Sequence, residues 1–256
     1  MGVRVAREDR PEGGHVARLT IDNAAKLNSL NRELMVEIVV AVKALETDPE
    51  LRLVIVTGSG DRAFVGGADI NELAALDADS AREFITLVHR CCDGFHRLPV
   101  PVIARVNGYA LGAGLEIAAA CDLRVASSRA VFGMPEVKVG IPSVVEAALL
   151  PGLIGWGRTR ELLLFGENID AATALAWGLV EEVVAPEALD AAVARRLDAL
   201  LACGPQALRL QKQLIRRWED LTLSQAVAAG IESFTQSFAT DEPARMMAAF
   251  TTRRRG

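Results

Sequence analysis

Apolar residues fall into two rhythms along the chain. In "NRELMVEIVVAVKALETD" (Asn31 to Asp48), Leu34, Ile38, Val42 and Leu45 recur at three- and four-residue spacing, which predicts an amphipathic helix. "DSAREFITLVHRCCDGFHRLP" predicts a second one, capped by Asp79 or Ser80 and bounded by Pro99. Between them, "LRLVIVTG" is a short apolar run closed by Gly58, the pattern of a strand buried on both faces. "HVARLTI" (His15 to Ile21), "PVIARVNG" and "DLRVAS" predict further strands, and a helix is expected from about Gly112. Alternating strands and helices indicate an α/β architecture.

Beyond about residue 155 the rhythm changes. "GRTRELLLFG", "DAATALAWG", "PEALDAAVARRLDALLACG", "PQALRLQKQLIRRW" and "LSQAVAAGIESFTQSFAT" all predict helices punctuated by Gly or Pro. Only "GLVEEVV" (Gly178 to Val184) has a strand's composition. The expectation is a mixed core over residues 1–200 and a helical region over 201–256. No repeat of solenoid length is present.

With 256 residues, 51% of them hydrophobic, the chain can bury a large core, which argues against global disorder. A net charge of -5 argues against nucleic acid as the main partner. The N-terminal stretch lacks an apolar signal region and no run is long enough to span a bilayer, so no membrane association is expected. The four cysteines lack metal-ligand spacing and the three histidines form no cluster. Reduced thiols, a cytoplasmic setting and no metal are expected.

Candidate chemistry lies in three Gly-containing loops after strands: "AFVGGADI", "NGYALGAGLE" and "FGMPEVKVGIP". Glycine lets a backbone approach a ligand closely. A helix starting near Ala113 leaves free N–H groups and a dipole that favours an anion, as an oxyanion hole requires. For any one loop alone, tight turns with close helix–sheet packing are the better account, and the three together carry more weight than one. Glu116 is the one carboxylate in an otherwise Gly-, Ala- and Leu-rich stretch, where a buried charge needs a partner or a task.

These loops, in order and spacing, resemble the signature regions of the enoyl-CoA hydratase/isomerase (crotonase) family. "DNAAKLNSLNRELM" resembles its acyl-CoA loop and "SFATDEPARMMAAFTTRR" its C-terminal helix, so the likeness runs from Val16 to Arg254. The resemblance implies a spiral of repeated ββα units with a C-terminal helical oligomerisation region, forming trimers or dimers of trimers. There Phe234, Phe238, Met246, Met247 and Phe250 would supply an interface, or else fill the chain's own core. It implies backbone oxyanion donors at Ala68 and Ala113 and a catalytic pair at Glu116 and Glu136. It implies CoA contacts near Lys26, Leu27, Gly66, Asp69 and Ile70, with Arg253 reaching the nucleotide end. Lys26 could meet a CoA phosphate or remain solvated, and the basic tail could equally be solvated.

The implied activity is addition of water to a 2-enoyl-CoA with no cofactor, CoA being part of the substrate. Double-bond isomerisation, thioester hydrolysis, and a non-catalytic acyl-CoA- or RNA-binding role are the alternatives. The pattern breaks after Glu136, where "GIPSVVEAALLPGLIG" lacks the family's G-G-T-Q run and adds Glu146. Glu146 is either a third polar group near the pocket or a salt-bridged helix residue.

Overall fold

The computed structural model describes residues 1–11 and 13–253; the side chains of Phe250, Thr252 and Arg253 fall outside that description. Two sheets run through the core. The larger contains β1 (Gly2–Asp9), β2 (His15–Asp22), β3 (Leu51–Gly58), β5 (Val102–Val106), β7 (Leu123–Ser127) and β10 (Glu182–Val184), in the order β1-β2-β3-β5-β7-β10. Only β1 and β2 pair antiparallel; the rest of that sheet is parallel. The smaller holds β4 (Ala63–Val65), β6 (Tyr109–Leu111), β8 (Val131–Gly133) and β9 (Ile169–Asp170), in the order β4-β6-β8-β9.

Each long strand is followed by a short one in the second sheet and then by helix. β3 and β4 lead to α2 (Ile70–Ala74) and α3 (Ala78–Arg97). β5 and β6 lead to α4 (Ala113–Ala120). β7 and β8 lead through 3-10 turns to α5 (Leu150–Phe165). The first turn of this spiral is abbreviated: β2 is followed by a single bridge, Leu30 to Ala68, and then by α1 (Arg32–Glu46). This is the expected ββα spiral.

The two-faced burial of β3 has a structural cause. Leu53 and Ile55 pack with Val16, Ile103 and Val125 against Leu189, Val193 and Leu197 of α7 (Leu189–Leu201). Val54 and Val56 face the other way, into the larger core with Leu34, Ile38 and Val42 of α1 and Phe84, Val88 and Phe95 of α3. Helix starts follow capping chemistry. Asn31 accepts from the Leu34 N–H at 2.9 Å. The cap of α3 is Asp77, two residues before the expected start; Ser80 completes the reciprocal pair.

Differences from the sequence reading are local. The strand expected over 178–184 shortens to β10, because Gly178 and Leu179 close α6 (Ala171–Trp177) by bonding back to Leu175 and Ala174. α5 begins earlier than expected and breaks at Gly155, which has φ 75° and ψ 158°.

The C-terminal helices are α8 (Pro205–Asp220), α9 (Leu223–Ser237) and α10 (Glu242–Arg253). α8 is tied to the spiral by the buried Lys212, whose Nζ donates to Val100 O at 2.9 Å and to Asp122 Oδ2 at 2.7 Å. By contrast α9 leaves Leu223, Val227, Ile231 and Phe234 exposed, and Phe238, Met246 and Met247 are exposed beside them. These residues do not fill the chain's own core. Among the described residues no helix is long and apolar enough to cross a membrane.

Candidate active site

One cavity of about 290 Å³ lies where the ends of β4, β6 and β8 meet. Gly66, Gly67, Ala68, Ile70, Ala113, Glu116 and Glu136 all line it. Three loops distant in sequence therefore converge, as the order of strands in the smaller sheet requires.

The loop after β4 is held by backbone bonds on both sides of Ala68. Gly66 N–H donates to Leu27 O, Leu30 N–H to Gly67 O and Asp69 N–H to Leu30 O, each at 2.8 Å. On the second loop, Gly112 N–H donates to Gly133 O at 2.9 Å and Glu116 N–H to Gly112 O at 3.0 Å. Among the described residues no acceptor takes the N–H of Ala68 or of Ala113. Ala113 is the first residue of α4, so its N–H lies at the positive end of the helix dipole. Two unspent donors on fixed backbone, lining one cavity, are suited to a developing oxyanion.

Two glycines make the second loop possible. Gly112 has φ 51° and ψ -123°, and a Cβ there would meet Glu136 Oε1 at 2.3 Å. A Cβ at Gly114 would meet Val65 O at 2.0 Å, so α4 can lie against β4 only without one.

Glu116 is the fourth residue of α4, whose residues are all buried, and its own exposure is 5%. Burial is the main force raising its carboxyl, to about 8 from an ordinary 4.5; the negative charge of Glu136 adds to it, and that of Glu146 adds less. The Ala147 N–H donates to Glu116 Oε1 at 3.3 Å and opposes the rise. Glu136 sits in a 3-10 turn, Pro135–Val139, and the Ser143 hydroxyl donates to its Oε2 at 2.8 Å. Two carboxylates flanking one cavity, one of them holding its proton near neutral pH, can give and take protons on the same bound molecule. The wall opposite is apolar: Leu73, Phe84, Ile85, Val88, Ile141 and Val144.

Lys26, Leu27 and Asp69 adjoin this cavity without lining it. Lys26 Nζ pairs with Asp69 Oδ2 at 3.0 Å, which lowers the Asp69 carboxyl's pKa, and Asp69 also caps α2 by accepting from the Asn71 N–H. The N–H groups of Gly66 and Asp69 are spent within the protein. Leu27 takes a left-handed conformation, φ 56°. Arg253 closes α10, with its side chain outside the described structure. Among the described residues no cluster of His, Cys, Asp and Glu has the make-up of a metal site.

Some site residues escape sequence reasoning. The Asn28 side chain donates to Ala63 O at 2.8 Å and Asn107 to Gly60 O at 2.8 Å, bracing the loops around β4. Asn107 directly precedes the loop that begins at Gly108, which was the available signal; Asn28 carried none. Ser143 carried none. Glu146 does not line the cavity: it sits in a 3-10 turn, 2.7 Å from His89, and its charge is felt at Glu116.

The model of the enoyl-CoA hydratase/isomerase family matches residues 12–256. A short-chain-enoyl-CoA hydratase of Clostridium acetobutylicum is 38% identical over 243 residues, 94% of this chain and 93% of that protein. A crotonyl-CoA hydratase of Syntrophomonas wolfei is 39% identical over 241 residues, with 94% and 93% covered. Among solved structures, an enoyl-CoA hydratase from Bacillus anthracis superposes with a TM-score of 0.91 at 29% identity, covering 97% of this chain and 96% of that one. On sequence, fold and the convergence of these three loops, the chain belongs to the enoyl-CoA hydratase/isomerase family.

Proposed function

We propose that the protein is an enoyl-CoA hydratase, adding water across the conjugated double bond of a 2-enoyl-CoA to give a 3-hydroxyacyl-CoA. One observation carries the reading: Glu116, Glu136 and the unspent N–H groups of Ala68 and Ala113 face the same cavity. The thioester oxygen lies between the two N–H donors. Water oxygen bonds to C3 as the carbon–carbon π electrons move toward the thioester, and C2 then takes a proton. With its carboxyl raised to about 8, Glu116 holds a proton at neutral pH. One carboxyl gives a proton while the other takes one from water, and the enolate charge between them is met by fixed donors. The reaction is redox-neutral and each step uses a group of this chain, so the proposal calls on no cofactor.

The size and apolar wall of the cavity suit a short acyl chain, as do the names of the two relatives above. Lys26, Leu27, Gly66, Asp69 and Ile70 are assigned to CoA, with Arg253 at its nucleotide end. Residues 1–200 form the catalytic spiral and residues 201–256 the region through which trimers, or dimers of trimers, assemble; the exposed apolar face of α9 supports this. The buried free thiols of Cys91, Cys92 and Cys121 suit the cytoplasm.

Two acids at the cavity favour hydration over isomerisation through a single base. Incubation with a panel of 2-enoyl-CoAs tests the proposal. Loss of the conjugated double bond without release of free thiol is expected; thiol release, or a double bond that merely migrates, would overturn it.

A further inference from the structure

Glu146 lies outside the two motifs that supply the glutamate pair, in a segment where this chain departs from its family's pattern. It is the second residue of a 3-10 turn, Val145–Leu149. The side chain is almost fully buried, with a residue exposure of 8%. Its Oε1 lies 2.7 Å from Nδ1 of His89 on α3; with the carboxylate ionised, that ring N–H is the donor. Its Oε2 is buried and, among the described residues, has no hydrogen-bond partner. A buried carboxylate oxygen without a donor is unfavourable for folding, so stability alone does not account for this residue.

The turn itself is strained. Val145 is β-branched and sits at φ 42°, a conformation such residues rarely adopt unless their surroundings impose it. The next residue but one is Ala147. Its N–H is shared between Val144 O at 3.0 Å and Glu116 Oε1 at 3.3 Å. One short path thus runs from His89 through Glu146 and the strained turn to the carboxyl of Glu116.

We propose that Glu146 is a positioning residue for Glu116: bonded to His89, it pins the Val145–Leu149 turn to α3, so that the Ala147 N–H stays aimed at Glu116 Oε1 and holds that carboxyl toward the cavity. His89 is the outer half of the strut. Its ring is half-exposed and, among the described residues, makes no other hydrogen bond or ion pair. The proposal rests on the assignment of Glu116 to catalysis.

Four variants of the full-length protein test it, each read by kcat, KM for an accepted enoyl-CoA, and thermal melting. Glu146→Leu keeps bulk but removes the acceptor. Its kcat is expected to fall about tenfold to a hundredfold, the scale of a misplaced catalytic group. KM should stay within about twofold, because CoA contacts are untouched. Melting should not drop, because the unserved oxygen is gone. His89→Ala should lose kcat in the same way. Glu146→Gln keeps an oxygen for His89 and should recover most of the activity.

Unchanged kcat in Glu146→Leu and His89→Ala would overturn the proposal, as would Gln failing as badly as Leu. Equal falls in kcat and melting would make Glu146 merely structural. Should the Leu variant not fold, His89→Ala decides alone, since a half-exposed ring can be removed without breaking the core. Glu116→Gln separates the two readings. If it turns over like wild type, the role of Glu116 itself fails; if it is inactive beside fully active His89 and Glu146 variants, only the strut fails.

Discussion

Glu116→Gln should stabilise the protein, and more so as pH rises. Folding lifts the Glu116 carboxyl from 4.5 to about 8 by withdrawing it from water beside Glu136 and Glu146. Between those values the folded chain keeps a proton that the unfolded chain has lost, so stability falls as pH rises. At about 1.4 kcal/mol per pKa unit the full loss is of order 5 kcal/mol, reached above about pH 8, and about 3 kcal/mol of it is present at pH 7. Gln has nearly the same shape, still accepts from the Ala147 N–H and cannot ionise, so the variant escapes this loss. Urea unfolding of both proteins from pH 5 to pH 9 should show a small difference at the acid end. The gap should widen toward pH 8 and then level off. The same substitution should lower hydration by about 10²- to 10⁴-fold, the usual range for a lost general acid or base. A stability gap that is flat across pH, or that narrows as pH rises, would refute the claim that Glu116 holds a raised, buried proton.

Three further outcomes are expected. Gly112→Ala places a Cβ on top of Glu136 Oε1 and forces a backbone conformation unfavourable by about 1–3 kcal/mol; turnover should collapse while circular dichroism and CoA affinity persist. Ala113→Pro removes one oxyanion donor at a helix position where Pro is tolerated, and should lower kcat by about 10²- to 10³-fold in a folded, CoA-binding protein; an unchanged rate would remove Ala113 from the site. Phe234→Glu charges a ring on α9 that is 69% exposed and packs at a tilt against Phe238, and should shift the sedimentation coefficient to a smaller assembly.

What could be read from sequence divides by element length. α1, α3 and β3 carry several turns or pleats of pattern, and their caps and boundaries came within a residue or two. The short strands β4, β6, β8 and β9 have two or three residues each, too few for any period, yet three of them set the cavity. β1 was passed over because its residues alternate only weakly and it lies largely exposed at the edge of the sheet. The site divides in the same way. Gly66, Ala68 and Ala113 were reached through the resemblance, whose motifs keep small residues in a fixed order, and the structure sets all three on one cavity. His89 was not reached. A polar residue on an amphipathic helix has the pattern of a solvated face, and only the fold brings Glu146 beneath it.

The departure after Glu136 acts on the pair it borders. Bringing a third carboxylate near Glu116 adds negative charge, which favours the protonated form of that group just as Glu136 does. Burial also raises the Glu146 carboxyl, while the hydrogen bond and charge of His89 lower it. Asp93 on α3 pushes the other way. The same segment therefore touches Glu116 by two opposing routes: the Ala147 N–H draws the carboxyl toward ionisation, and the Glu146 charge holds the proton on. Burial and the charge of Glu136 do most to set where Glu116 titrates, and this donor and the Glu146 charge adjust it. On the proposed assignment of Glu116 to catalysis, a change in this segment alters proton transfer while the backbone at Ala68 and Ala113 stays as it is.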